Sequence, residues 1–424
     1  MRIDRLTLTN FKAFASCDFG LDPHFNLFVG DNATGKTSVL DALSIALDSW
    51  FLGMKGVEKA GGIDSDDVRV VAHRHGDRIS FEKQFPARIE ALGSILGSRV
   101  SWARELNHEG GRTTTAEAKD LLQLASDSQR RVRKNESITL PLICSYGTER
   151  LWFESRHPKR TRKLDPSPLW PSRFDGYRDC NVFEIQETAL LDWIRAEVSA
   201  SQQRNEETIA LSVMKAAIAG CVEDAETIYY DERYKDLIVV MEQTGYQMFR
   251  YLSDGQRIML TFVGDLAKRA VTLNPDLGKD VLRLTPGVVV IDELDLHLHP
   301  KWQRRVIHDL KRTFPQIQFI ATTHSPQLIG EALPHEIRIL ENGDVTIPPR
   351  SFGVDSSRIL EEVMHASPRN RDTKELLARL AELIDQEDLA SAKKVLAEVE
   401  SKLGKDDPEV AGANTLITLL ESTR

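Results

Sequence analysis

The chain predicts an α/β fold, a largely parallel sheet wrapped by helices, and three observations carry that prediction. Residues 27–29 form a short apolar run that stops at Gly30, and from Thr37 apolar residues recur at helical spacing through Val39, Leu40, Leu43 and Leu47. Gly287–Ile291 and Gln318–Thr322 are mostly apolar runs too short for helices, the pattern of strands covered on both faces. Helical patterns at 254–272 and 301–313 alternate with them, as a sheet with crossover helices requires.

The remaining elements follow in order. Residues 2–8 alternate apolar and polar, which predicts a half-buried strand. Residues 56–115 are Gly-rich, with alternating pieces around 68–72, 79–85, 89–92 and 100–106, read as an antiparallel β meander. A helix is expected over 116–133 and a strand over 140–146. The stretch 149–180 is basic, from Arg150 to Arg178, with Trp152, Phe153, Trp170 and Tyr177 interleaved and four prolines within 158–171. That composition predicts loop, either solvated or touching phosphates or an acidic partner. Helices are expected at 184–200 and 204–220, strands at 227–231 and 236–252, and a hairpin at 335–348. From about residue 370 the tail is helical, with stripes through Leu376, Leu380 and Ile384 and through Leu389, Val395 and Val399. Such stripes either dock a partner helix or cap the head's own core.

Composition narrows the function classes. The chain has 424 residues, 41% hydrophobic and 28% charged, with Lys+Arg 55 against Asp+Glu 64 and a net charge of −9. These values exclude global disorder and disfavour a protein that coats nucleic acid over its whole surface. The longest apolar runs, such as Val288–Ile291, fall far short of the roughly 18 residues a membrane span needs. No apolar signal core follows Met1, and Cys17, Cys144, Cys180 and Cys221 are scattered without CxxC spacing. The expectation is a cytoplasmic protein without disulfides or a zinc site.

The chemistry concentrates in a few segments. Gly30-Asp31-Asn32-Ala33-Thr34-Gly35-Lys36-Thr37 matches G-x-x-x-x-G-K-[ST] in full, between a strand and a helix, with Ser38 following. Its glycines let backbone N–H groups turn towards phosphates, and the helix start adds its positive end. Lys36 would reach the β- and γ-phosphates of ATP, and the Thr37 hydroxyl would ligate Mg²⁺. Val288–Ile291 delivers Asp292 and Glu293 at a strand's C-terminal end. Alone, that pattern is also a strand followed by a solvated turn. Beside the phosphate loop, Asp292 would hold Mg²⁺, directly or through water, and Glu293 would orient and activate the attacking water. His297 and His299 lack a third ligand cluster and are not read as a zinc site. His324 closes the next buried strand, where it would meet the γ-phosphate.

Leu252-Ser253-Asp254-Gly255-Gln256 precedes an apolar helix. By itself it reads as an N-cap. Standing in order with Lys36, Asp292–Glu293 and His324, it resembles the L-S-x-G-Q signature of ABC-type ATPases. That resemblance covers most of residues 1–345. It implies a P-loop NTPase of ABC-ATPase head type, working as a head-to-tail homodimer or higher oligomer. Ser253, Gly255 and Gln256 of one copy would close over ATP held by Gly30–Ser38 of the other, with Lys36, Glu293 and His324 catalytic. It also places Asp295 in the loop between paired sites. Ile3-x-x-Leu6-x-Leu8-x-Asn10-Phe11-Lys12 resembles the opening strand of the RecF and Rad50 branch, which implies that Lys12 approaches the nucleotide. Gln186 is the candidate for the family's glutamine loop.

A transporter ATPase is disfavoured by the long segment between Lys36 and Ser253, and an SMC-like protein by the absence of sustained heptads. Pro141–Trp152, Arg173-x-x-Gly176-Tyr177 and Asp292–Pro300 resemble the ATPase subunits of Septu and retron-associated antiphage systems, which pair with a separate HNH endonuclease. The organisation expected is an ATPase head over 1–350, carrying an antiparallel β subdomain and inserted helical and basic segments at about 56–225. A linker and C-terminal helical tail follow over 351–424, with partner docking through 370–424. The function implied is an ATP-hydrolysing regulatory subunit that controls an HNH nuclease without being one. Nucleic acid would be reached through basic patches or the partner. The alternatives are a RecF-like repair ATPase without a dedicated nuclease, and a non-catalytic ATP-dependent scaffold.

Overall fold

The opening alternation folds as β1 (Arg2–Phe11), which pairs antiparallel with β2 (Phe14–Gly20) and with β6 (Ala87–Ile95). β6 pairs in turn with β7 (Ser98–Leu106), giving a four-stranded sheet ordered β2-β1-β6-β7. The computed structural model describes residues 1–57, 61–148, 172–180, 187–222, 224–341 and 343–422. The segment 56–115 is not one meander: β4 (Val70–His75) and β5 (Arg78–Lys83) pair only with each other. The physical difference is burial. β6 alternates buried and half-buried along its whole length, so its apolar face is covered beside β1, whereas β4 and β5 are largely exposed.

The second sheet contains β3 (Phe25–Val29), β8 (Leu142–Tyr146), β12 (Gly287–Ile291), β13 (Ile317–Thr322), β14 (Ile337–Glu341) and β15 (Asp344–Thr346). Its order is β15-β14-β3-β13-β12-β8, parallel throughout except for the β14–β15 hairpin. Every residue of β3, β8, β12 and β13 is buried. Continuous apolar runs therefore become fully buried strands.

Helices α1 (Lys36–Leu52) and α2 (Lys119–Arg133) follow the glycine loop and β7. Helices α3 (Glu187–Arg204) and α4 (Ile209–Cys221) lead to a three-stranded antiparallel sheet of β9 (Ala225–Asp231), β10 (Asp236–Met241) and β11 (Gly245–Met248). The single strand expected over 236–252 is thus a hairpin, because a turn at Glu242–Thr244 reverses the chain. Then come α5 (Asp254–Leu273) and α6 (Val281–Leu284). The helix expected at 301–313 is two pieces, α7 (Pro300–Gln303) and α8 (Val306–Thr313). The first is tied back by Gln303, whose Nε2 donates to the carbonyls of Asp295 (3.3 Å) and Leu298 (2.9 Å). Helix α9 (Pro326–Glu331) follows β13.

The joint between α5 and the parallel sheet is polar and buried. Asp265 Oδ2 accepts from the Tyr146 hydroxyl of β8 at 2.8 Å and from Arg269 Nε at 2.6 Å. Arg269 also donates to the carbonyls of Gly176 and Arg178. Burial first, then the neighbouring Asp265 charge, drives the Tyr146 hydroxyl pKa well above its ordinary value, so it serves as a donor throughout the physiological range. An Asp265→Leu variant is expected to lose about 3–5 kcal/mol in denaturant unfolding, because it strands the Arg269 charge in the interior. A loss below about 1 kcal/mol would show the joint to be dispensable.

The chain divides into two compact units, Met1–Ser356 and Ser357–Arg424. Helix α10 (Ser356–Glu362) starts at the division, and α11 (Arg371–Asp385), α12 (Leu389–Leu403) and α13 (Pro408–Ser422) form the second unit's body. Their stripes close on one another: Leu380, Ile384, Val395, Val399, Val410 and Ile417 share one core. The stripes are accordingly not open grooves. Leu416 and Leu419 remain exposed on α13. Among the described residues, no helix is long and apolar enough to cross a membrane.

Candidate functional site

The glycine loop leaves β3 and enters α1 as the motif spacing predicts. Gly35 sits at a φ of 101°, a backbone conformation L side chains rarely adopt, and a Cβ there would stand 2.7 Å from the Phe14 ring. No side chain caps α1, so its first N–H groups remain for an anion. Lys36 is buried and folds back over the loop, its Nζ donating to the carbonyls of Gly30 and Asp31 at 2.8 Å each. Burial lowers its pKa, and the charges of Asp292, Asp31 and Glu293 act against that lowering. The loop lysine thus lies within the field of the acidic pair that the sequence placed more than 250 residues away.

Parallel register delivers that pair. Ile291 stands opposite Ala321 of β13 and Tyr146 of β8, so Asp292 emerges at the common C-terminal edge, its N–H bonded to the Tyr146 carbonyl at 2.8 Å. The Thr322 hydroxyl donates to Asp292 Oδ1 at 2.6 Å and accepts the Glu293 N–H at 2.7 Å. Glu293 adopts a left-handed φ of 49°. The next threonine repeats the pattern, the Thr323 hydroxyl donating to Asp295 Oδ1 at 2.6 Å. These two threonines orient the acidic loop, and sequence reasoning passed them over. Their signal was the Thr-Thr pair ahead of His324, read only as a strand end.

His324 follows Thr323, whose N–H bonds the Phe28 carbonyl of β3 at 3.2 Å. Since β13 lies between β3 and β12, the half-buried His324 leaves the sheet between the phosphate loop and Asp292. His299 caps α7, its Nδ1 accepting the Lys301 N–H at 3.3 Å.

Lys12 does not stand alone. Its Nζ pairs with Asp41 at 2.5 Å and Asp67 at 3.2 Å. Burial works to lower its pKa, but the bonds and charges of Asp41 and Asp67 outweigh it and leave it raised. Asp41 lies one helical turn beyond Thr37, so Lys12 ties the opening strand to the phosphate-loop helix.

Ser253 is the N-cap of α5 in a capping box: its Oγ accepts the Gln256 N–H at 3.4 Å, and Gln256 Oε1 accepts the Ser253 N–H at 3.0 Å. Gly255 is buried beneath the acidic loop, where a Cβ would meet the His297 carbonyl oxygen at 2.8 Å. Helix α5 packs on β8 through the Tyr146–Phe262 ring pair. β8 lies three strand positions from β3, roughly 14 Å across the sheet. Among the described residues, no hydrogen bond or ion pair joins 253–256 to 30–38. The structure brings Lys36, Asp292, Glu293 and His324 to one edge and carries Ser253, Gly255 and Gln256 on a separate element.

Of the basic stretch, Arg173 and Arg178 are described; Arg173 bonds inside the fold, and Arg178 is half-exposed. Arg173 donates to the carbonyls of Leu273 and Ile138, and Arg178 pairs with Asp175. The basic residues from Arg150 to Lys163, and Gln186, lie outside the described residues.

The chain is 27% identical to the "Retron Ec83 probable ATPase" of Escherichia coli, an alignment covering 96% of this chain and 85% of that protein. It is 33% identical to the "Septu protein PtuA" of Bacillus mycoides, over 80% of this chain and 40% of that protein. Among solved structures, the SMC head domain from Thermotoga maritima aligns with a TM-score of 0.44 at 17% identity, over 82% of this chain and 99% of that one. Residues 25–330 match the family described as "AAA domain, putative AbiEii toxin, Type IV TA system", and the chain belongs to that AAA-domain family.

Proposed function

We propose that the chain is an ATP-binding and ATP-hydrolysing regulatory subunit of an antiphage defence complex, whose heads close head to tail around ATP to control an associated HNH endonuclease. The observation that carries the reading is the placement of Lys36 within the field of Asp292 and Glu293, while the Ser253 cap sits on α5 and, among the described residues, is bonded only within its own turn. A single head holds half of each site.

In this reading the uncapped start of α1 and the loop from Gly30 to Ser38 bind the phosphates, and Lys36 leaves the Gly30 and Asp31 carbonyls for phosphate oxygens. The oxygen donors Thr37 and Asp292 fit Mg²⁺, a hard cation that neutralises phosphate charge when bound. Glu293, aimed by Thr322, takes the proton of the attacking water, and His324 steadies the γ-phosphate from the next strand. Ser253 and Gly255 of the second copy offer the N-terminus of α5, and Lys12 approaches the nucleotide beside Asp41. The defence assignment draws on the similarity to the retron and Septu proteins, and the HNH partner would dock through 370–424, where Leu416 and Leu419 are the exposed apolar residues.

Complementation tests the shared site. Lys36→Ala and Ser253→Arg chains should each be inactive, and mixing them should restore Mg²⁺-dependent ATP hydrolysis, because one site of the mixed dimer has an intact loop and an intact cap. A mixture as inactive as its parts would overturn head-to-tail sharing. An HNH protein encoded beside the chain and copurifying with it separates the defence role from a RecF-like one.

A further inference from the structure

Two faces that expose apolar or aromatic side chains flank the elements just described, the hairpin's Ile79 and Phe81 and the sheet's Tyr229 and Tyr246. The β4–β5 hairpin pairs Val70 with Lys83, Ala72 with Phe81 and Arg74 with Ile79, so these six side chains share one face. On it Ile79 is 63% and Phe81 71% exposed. A two-stranded ribbon with an uncovered apolar face is marginal in water and gains from a covering surface. The hairpin is rooted beside the phosphate-loop helix. The Arg69 N–H bonds the Asn10 carbonyl, the Lys12 N–H bonds the Asp67 carbonyl, and Lys12 reaches Asp41 of α1.

The second face belongs to the β9–β11 sheet. Its register sets Tyr229, Ile238 and Met248 beside Thr227, Val240 and Tyr246 on one side. Tyr229 and Tyr246 meet edge to face at 6.5 Å, and Tyr246 is 75% exposed. None of the six carries a charge. The chain then passes through Tyr251, itself 76% exposed, to the Ser253 cap two residues later.

We propose that the Phe81 face of the hairpin docks on the tyrosine face of the β9–β11 sheet of a second copy of this chain, sealing the rim of each shared nucleotide site. The inference rests on the head-to-tail reading: bringing Ser253 over the partner's phosphate loop carries the sheet towards the element rooted beside that loop. Charge selects the same occupant. The hairpin, residues 69–83, has Arg69, Arg74, Arg78 and Lys83 against Asp77 and Glu82, a net +2, while 224–251 has six carboxylates against three cations, a net −3. Arg74, on the Phe81 face, can lie over a tyrosine ring, and Phe81 can stack with the tyrosines; Lys83 is held by Ser65 and Glu109. Two-fold symmetry makes the contact twice, once at each site.

Cross-linking tests it in the full chain. Phe81→Cys and Tyr246→Cys are placed in separately tagged Glu293→Gln chains, with the half-exposed Cys17 replaced by Ser, and joined by a short bis-maleimide. A mixed Phe81–Tyr246 product that forms with Mg²⁺-ATP and not without it is the expected result. Phe81→Asp or Tyr246→Asp should each weaken the ATP-dependent dimer about tenfold in sedimentation velocity. An ATP-dependent dimer of unchanged affinity without the mixed product overturns this contact and leaves head-to-tail sharing standing. If the Glu293→Gln chain forms no ATP-dependent dimer at all, the sharing itself fails and this contact with it.

Discussion

A Glu293→Gln chain is expected to bind ATP, hydrolyse it at least about 10²-fold more slowly, and accumulate as an ATP-bound dimer. The side chains match in size, so packing around the acidic loop is kept. The backbone at Glu293 is set by its N–H bond to Thr322 and by the Leu294 N–H bond to the Thr322 carbonyl, neither of which needs the carboxylate. What is lost is the carboxylate's charge, with its capacity to accept a proton. Rapid-quench turnover and sedimentation with Mg²⁺-ATP check the two halves of the prediction. Wild-type turnover in the variant would remove Glu293 from the role of base.

Lys36→Ala is expected to act at the preceding step. Without its ammonium the loop loses its one buried cation beside the phosphates, and nucleotide affinity and hydrolysis should both fall by about 10²–10³-fold. The ATP-dependent dimer should vanish with them, the opposite of the Glu293→Gln outcome. Lys36→Arg should not rescue, because the planar guanidinium cannot fit the position where a compact ammonium now bonds two loop carbonyls. Fluorescent-nucleotide titration reads the affinity. Retained binding in Lys36→Ala would mean that the backbone N–H groups alone hold the phosphates.

Much of the candidate site was legible before any coordinates, because its parts are local. Gly30–Ser38 needs a strand, a loop and a helix start in immediate succession, and Asp292–Glu293 needs a strand end. The Ser253 capping box closes within four residues. What was illegible depends on distant pairing. Thr322 and Thr323 matter because parallel register sets them beside Asp292 and Asp295, about 30 residues away. The resemblance implied that Lys12 approaches the nucleotide, and the fold pairs it with Asp41 and Asp67, two carboxylates its own segment does not contain. The tail's stripes invited a docking partner, yet each is largely covered by its neighbours, since an apolar stripe looks the same whichever helix buries it.

The sequence by itself determined the α/β class, the strand runs that became the parallel sheet and the residues of the candidate nucleotide site. Periodicity and turn chemistry act over a few residues and survive without knowledge of the rest. Only the tertiary structure decided that Gly287–Ile291 lies between β8 and β13, that Lys36 feels the Asp292–Glu293 pair, and that the Ser253 helix, through its Asp265, rides on Tyr146 at the far side of the sheet. Those facts follow from strand order and register, which are set by which buried faces fit together and not by any one segment's pattern.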